Sequence, residues 1–191
     1  MRLFVALDFP DAVRQALREL IARLKPACRG AKWARPEAMH ITLKFIGEVD
    51  AEKLEPVRSA LAPVHSTEPV DMQFRGLGFF PNERRPRILW CGVEASPNLA
   101  ELAASVERAL VPLGIPAESR DFVPHLTLAR FNAEGGARGE LEALVRAAGD
   151  LKSYDFGQTR ETKFYLIESM LKPAGAEYKR VETFAIVKGS A

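Results

Sequence analysis

The stretch His40-Ile41-Thr42-Leu43-Lys44-Phe45-Ile46-Gly47 alternates polar and apolar residues, and a shorter copy, His125-Leu126-Thr127-Leu128, returns late in the chain. Alternation with a period of two is the mark of a strand, whose successive side chains leave on opposite faces. It predicts that Ile41, Leu43 and Phe45 point into a core and that His40, Thr42 and Lys44 point the other way. Residues two apart on a strand share a face about 6.5–7 Å apart, so each copy presents an imidazole beside a hydroxyl. The chain has three histidines and six threonines, which makes the doubled His-x-Thr-Leu hard to ascribe to chance.

Outward from these strands the pattern is mixed. Leu3 to Leu7 reads as a buried strand. Val13, Ala16, Leu17, Leu20, Ile21 and Leu24 form a helical stripe after Pro10, ended by Pro26 and Gly30. Asp50 is a candidate N-cap for a shorter helix carrying Leu54, Val57 and Leu61. Val70 to Phe80 is strand-like, interrupted by Gly76 and Gly78, and Arg87 to Val93 is a compact strand. Ser96-Pro97 opens a helix striped by Leu99, Leu102, Ala103, Val106 and Leu110. Phe122 to Phe131 contains the second His-x-Thr strand, and Gly135-Gly136 reads as a loop. Leu141, Leu144, Val145 and Ala148 predict a fourth helix ending at Gly149. Thr162 to Leu171 and Val181 to Val187 read as strands joined by the turn Lys172-Pro173-Ala174-Gly175. The expected class is α+β: a single domain over residues 1–191, made of two intertwined, pseudo-symmetric lobes with antiparallel sheets around a central cleft.

Composition narrows the classes. Hydrophobic residues make up 47% and charged residues 27% of the 191, as in ordinary folded domains. The formal charge of +2 excludes a polybasic grip on nucleic acid and leaves room for a local basic pocket. Cys28 and Cys91 stand far apart, which argues against a disulfide framework or a zinc knuckle. The apolar run stopped by Asp8 is too short for a signal peptide, and no later run reaches membrane-spanning length. A cytoplasmic protein without a membrane partner is expected.

Two imidazoles and two hydroxyls around one centre suit a phosphodiester. Its cleavage needs a base to activate the attacking oxygen and an acid for the departing one, and histidine serves both near neutral pH. Thr42 and Thr127 are placed to bond non-bridging oxygens, and Lys44 to add charge if it shares their face. Nothing in the set requires a metal or another cofactor. Spacing alone leaves open which histidine is the acid. Blander readings stand beside this one. A lone strand histidine is more often structural, Lys44 is an ordinary solvated lysine, and His65 is a loop residue. Gly76-Leu77-Gly78 is a bend, and Arg84, Arg85 and Arg87 form a solvated loop or a grip on RNA.

The residues so far, with Arg2-Leu3-Phe4-Val5-Ala6-Leu7, Gly76-Leu77-Gly78-Phe79-Phe80-Pro81, Leu89-Trp90-Cys91-Gly92-Val93, Pro124 to Arg130, Ser169-Met170-Leu171, Gly175 and Tyr178, make the chain resemble a known family. It is similar to the RNA 2′,3′-cyclic phosphodiesterases, or 2′-5′ RNA ligases, of the two-histidine phosphoesterase superfamily. The resemblance implies a bilobal α+β fold and metal-independent hydrolysis of 2′,3′-cyclic phosphate RNA ends to 2′-phosphates, with reversible 2′-5′ ligation conceivable. It implies His40 as proton donor, His125 as proton acceptor, and Thr42 and Thr127 as phosphate ligands. Arg130 and Phe45 would contact substrate, although strict alternation turns both away from the histidines. The expected partners are RNA ends, tRNA fragments among them, and the expected state is a monomer. The rival readings are a non-catalytic RNA-binding module and a phosphodiesterase for small cyclic nucleotides.

Overall fold

The computed structural model describes residues 1–131, 138–172 and 175–187. Its strands are β1 (Arg2–Leu7), β2 (Lys32–Trp33), β3 (Ile41–Glu48), β4 (Val70–Phe80), β5 (Ile88–Ala95), β6 (His125–Arg130), β7 (Asp155–Glu161), β8 (Lys163–Lys172) and β9 (Gly175–Ala185). Its helices are α1 (Asp11–Leu24), α2 (Leu54–Leu61), α3 (Asn98–Leu110) and α4 (Arg138–Gly149). The strands form two antiparallel sheets, one in the order β3-β1-β8-β9 and the other β2-β6-β5-β4-β7. The chain crosses between them. β2 leaves the first third of the sequence to join the second sheet, and β8 and β9 return to complete the first.

One hydrophobic cluster runs through both sheets. Leu3, Val5 and Leu7 of β1 meet Ile41 and Leu43 of β3, Phe74 of β4, Leu89 and Cys91 of β5, and Leu126 and Leu128 of β6. The stripes of α1 (Val13, Leu17, Leu20, Ile21, Leu24) and α3 (Leu99, Leu102, Ala103, Val106, Leu110) close it, as their spacing of three and four residues requires. The other face of the four-stranded sheet carries a small separate cluster, Phe4, Ala6 and Ile167 with Tyr165 against it. That face, turned from the main core, is where the first histidine lies.

Several expectations need correction. Asp50 makes no side-chain capping bond; a 3-10 turn over Ala51–Lys53 precedes α2. β9 starts at Gly175, earlier than the apolar run from Val181 suggested. β2 is only two residues long, and β7 reads Asp-Phe-Gly-Gln-Thr-Arg-Glu, too polar to announce itself. Gly76 is indeed a bend. Its φ is +68°, and a Cβ there would stand 2.3 Å from the Lys152 carbonyl oxygen, so only glycine fits. The loop at Gly135-Gly136 and the Pro173-Ala174 part of the last turn lie outside the described residues.

Candidate active site

β3 and β6, the two strands bearing His-x-Thr, lie against each other with Cα atoms within 8 Å. β3 is the edge of its sheet, and beyond β6 there is only the short β2. In both strands the histidine and threonine are half-buried and the residues between and after them are buried. The expected alternation therefore holds for the first four positions.

It then fails in the same way twice. Ala6 pairs with Thr42 but Val5 pairs with Lys44, so Leu43 is an extra residue in β3. Trp90 pairs with Thr127 but Leu89 pairs with Ala129, so Leu128 is an extra residue in β6. Each is a β-bulge, which turns the side chains next in line to the other face; β3 shifts register once more at Ile46, since Phe4 pairs with Phe45 and Leu3 with Gly47. Leu43 and Lys44 both face the core, as do Leu128 and Ala129. Phe45 and Arg130 swing back to the faces of Thr42 and Thr127, Phe45 with 56% of its surface exposed. The sequence-based orientation of Phe45 into the core and of Arg130 away from His125 is thereby corrected.

Lys44 is corrected as well. It is 2% exposed and supplies no charge to the histidine face. Its ammonium donates to Glu107 Oε2 at 2.9 Å and to the Pro116 carbonyl at 2.6 Å, with Glu118 at 3.6 Å. A buried ammonium needs such partners because transfer out of water is costly. The Glu118 N–H, and then Lys44, hold the Glu107 carboxyl below its usual range.

The two imidazoles are held alike. His40 Nδ1 is 3.0 Å from the Ala38 carbonyl oxygen, and His125 Nδ1 is 2.8 Å from that of Val123. A carbonyl oxygen only accepts, so Nδ1 carries the hydrogen in each, and Nε2 of the neutral ring keeps its lone pair. Each ring also rests on an aromatic. Phe4 stacks on His40 with centroids 4.4 Å apart, and Tyr178 meets it edge-on at 5.0 Å. Phe80 meets His125 edge-on at 5.1 Å. Burial pushes the His40 imidazole down to about 4, against the Ala38 bond and the Asp8 charge, which raise it, and with Arg14, which lowers it. The Arg14 guanidinium donates to Asp8 at 2.6 Å and to the Pro36 and Met39 carbonyls, pinning the turn that leads into His40.

Beside Thr127 the sheet is floored by Trp90, whose indole lies over Gly78; a Cβ on Gly78 would come within 2.3 Å of the ring. Phe4, Phe80, Trp90 and Arg14 were not singled out by spacing. An aromatic inside an apolar run looks like core, and nothing local ties Arg14 to His40. His65 is an exposed loop residue, as expected. Among the described residues no group of three or more His, Cys, Asp or Glu side chains is arranged to hold a metal ion, and no helix is long and apolar enough to cross a membrane.

The family model of LigT-like phosphoesterases matches residues 7–90 and 92–176, which is most of the chain. An RNA 2′,3′-cyclic phosphodiesterase of Archaeoglobus fulgidus is 37% identical over 184 residues, covering 96% of this chain and 99% of its own. A protein of the same name from Thermus thermophilus is 36% identical, covering 97% and 90%. A crystal structure of a Thermus thermophilus protein superposes with a TM-score of 0.80 at 30% identity, over all of both chains. E. coli LigT complexed with 3′-AMP gives a TM-score of 0.76 at 24% identity over 98% of each, a likeness of fold. With two His-x-Thr strands side by side and matches of this extent, the chain belongs to the LigT-like phosphoesterases.

Proposed function

We propose that the chain hydrolyses 2′,3′-cyclic phosphate ends of RNA to 2′-phosphomonoesters, and that the two histidines act as an acid–base pair without a metal ion. The observation that carries this reading is the pair of bulged strands, each setting an imidazole with a bare Nε2 beside a threonine hydroxyl. The names of the relatives from Archaeoglobus and Thermus support the substrate.

In this mechanism His125 Nε2 takes a proton from water as the water oxygen attacks phosphorus. The bond from phosphorus to the 3′ oxygen breaks, and His40 Nε2–H delivers a proton to that oxygen. Thr42 and Thr127 hydroxyls donate to the non-bridging oxygens, and the Arg130 guanidinium, further along the same face, contacts the substrate. Phe45, exposed on the His40 face, supplies a surface on which a base can stack. Burial disfavours the charged form of His40, so its donor role requires the anionic phosphate to draw a proton onto it. The same ring opening with an RNA 5′-hydroxyl in place of water would join ends by a 2′-5′ bond, and its reversal, attack of the 3′-hydroxyl on that bond, would release them again.

The test is turnover of an oligonucleotide with a 2′,3′-cyclic phosphate end, in EDTA. Wild type should yield the 2′-phosphate. His40→Ala and His125→Ala should each lose about 10²–10⁴-fold in rate while RNA affinity is largely kept. Undiminished turnover in either variant, or none by wild type at any pH, rejects the proposal.

A further inference from the structure

Arg130 does not stand alone on the His125 face. β2 pairs with β6 so that Lys32 lies directly opposite Arg130 and Trp33 opposite Ala129. Cross-strand partners project to the same side, with Cβ atoms about 4.5–5.5 Å apart. The bulge at Leu128 thus brings Lys32 to the histidine face together with Arg130. Both are exposed, and among the described residues neither side chain has an ion-pair or hydrogen-bond partner. Two like charges opposite each other destabilise a sheet. Their neighbours in the same cross-strand row, Ile88 and Phe80, do nothing to offset that cost. An anion between the two would.

The position of this pair says which anion. Arg130 follows Thr127 by three residues, one of them bulged, so it lies about 6.5–7 Å further along the face. That is one step beyond the place proposed for the reacting phosphate, on the scale of the step between neighbouring phosphates in an RNA strand. The opposite direction along the sheet does not suit a polyanion. Past Gly92 and Arg75 the face leads to a cavity of about 710 Å³ lined by Asp71, Gln73, Glu94, Gln158 and Arg160. Two of those side chains are carboxylates, and Arg160 is already paired with Asp71 at 3.7 Å.

We infer that Lys32 and Arg130 form a second phosphate subsite, which holds the phosphodiester on the 5′ side of the reacting nucleotide. The cleft is then built for the end of an RNA chain in preference to a free cyclic mononucleotide. This rests on the proposed phosphodiesterase reading and extends it to the substrate's length and to a residue, Lys32, that the His-x-Thr pattern does not include.

The experiment compares two ligands, a 2′-phosphorylated mononucleotide and a tetranucleotide with a 2′-phosphate end, on wild type, Lys32→Gln and Lys32→Arg. Lys32→Gln should bind the tetranucleotide roughly tenfold more weakly at low salt. The slope of log affinity against log salt should fall by about 0.7, as for one single-strand phosphate contact. Mononucleotide binding should change less than about twofold, and Lys32→Arg should restore the tetranucleotide. Equal weakening on both ligands, or no weakening on the tetranucleotide, overturns the subsite. The readout is binding, so the two proposals fail separately. Lys32-dependent binding without any turnover of cyclic phosphate rejects the catalytic reading alone. Turnover with a Lys32→Gln variant that binds like wild type rejects the subsite alone.

Discussion

His40 and His125 each bond to the carbonyl two residues upstream, and that local bond decides which ring nitrogen is left for chemistry. Among the described residues no carboxylate bonds to either ring, so the tautomer is set by backbone within a single turn of chain. For His40 the consequence of this setting is a ring stacked on Phe4 and short of water, and hence a value pushed down to about 4. The unfolded chain takes up a proton on this histidine near pH 6.5. Between about 4 and 6.5 the unfolded state therefore binds more protons, and stability rises with pH across that window and is lost as pH falls through it. His40→Gln should flatten this part of the curve. Urea midpoints at pH 4, 5, 6 and 7 should show wild type losing more than the variant, by on the order of 2 kcal/mol at the acid end. Identical slopes for the two proteins would mean that His40 titrates normally.

At the scale of the element, the two bulges are the decisive feature. In each strand the leucine that ends His-x-Thr-Leu, Leu43 or Leu128, is the extra residue, so that position six, Phe45 or Arg130, rejoins the first and third. On β3 the same bulge sends Lys44 inward, where α3 and the chain at Pro116–Glu118 receive it. Lys44 is almost inaccessible while Glu107 keeps 28% of its side-chain surface in water, and the two should not be equally costly to remove. Glu107→Ala leaves the buried ammonium with the Pro116 carbonyl and the Glu118 carboxylate at 3.6 Å, without its shortest carboxylate partner, and should lower the unfolding free energy by about 3 kcal/mol. Lys44→Met fills the same space and leaves a carboxylate able to hydrate, for under about 1.5 kcal/mol. Equilibrium urea unfolding of the two variants checks the order, and the reverse order would contradict it. The limits of sequence reading appear here. His40, Thr42, His125 and Thr127 were legible because their spacing is local and precedes the bulge. The helices α1, α3 and α4 were legible from their stripes. The faces of Lys44, Phe45 and Arg130 were not, because a bulge is fixed by the register with β1 or β5, which no run of residues within β3 or β6 records. β2 was invisible for the same reason, since two residues have no period, and with it went the position of Lys32.

For the molecule as a whole, the crossing of the chain between the sheets makes each depend on the other. One hydrophobic cluster contains residues of both, and Asp8 after β1 binds Arg14 of α1 and Arg180 of β9 at once. The two halves should therefore unfold in one transition. Trp33 and Trp90 both lie in the five-stranded sheet, so their fluorescence reports on that sheet while far-UV circular dichroism reports on all elements. Coincident urea midpoints are expected; separated ones would show lobes that melt independently. The same threading orders events in time. β1 lies between β3 and β8, and its partner residues on β8 run from Tyr165 to Ser169. As the polypeptide emerges during synthesis, β1 gains its near neighbour early and waits through most of translation for its far one. Until then its bare flank is a template for stray strands, and a ribosome stalled between the two would release a fragment prone to aggregate with its siblings.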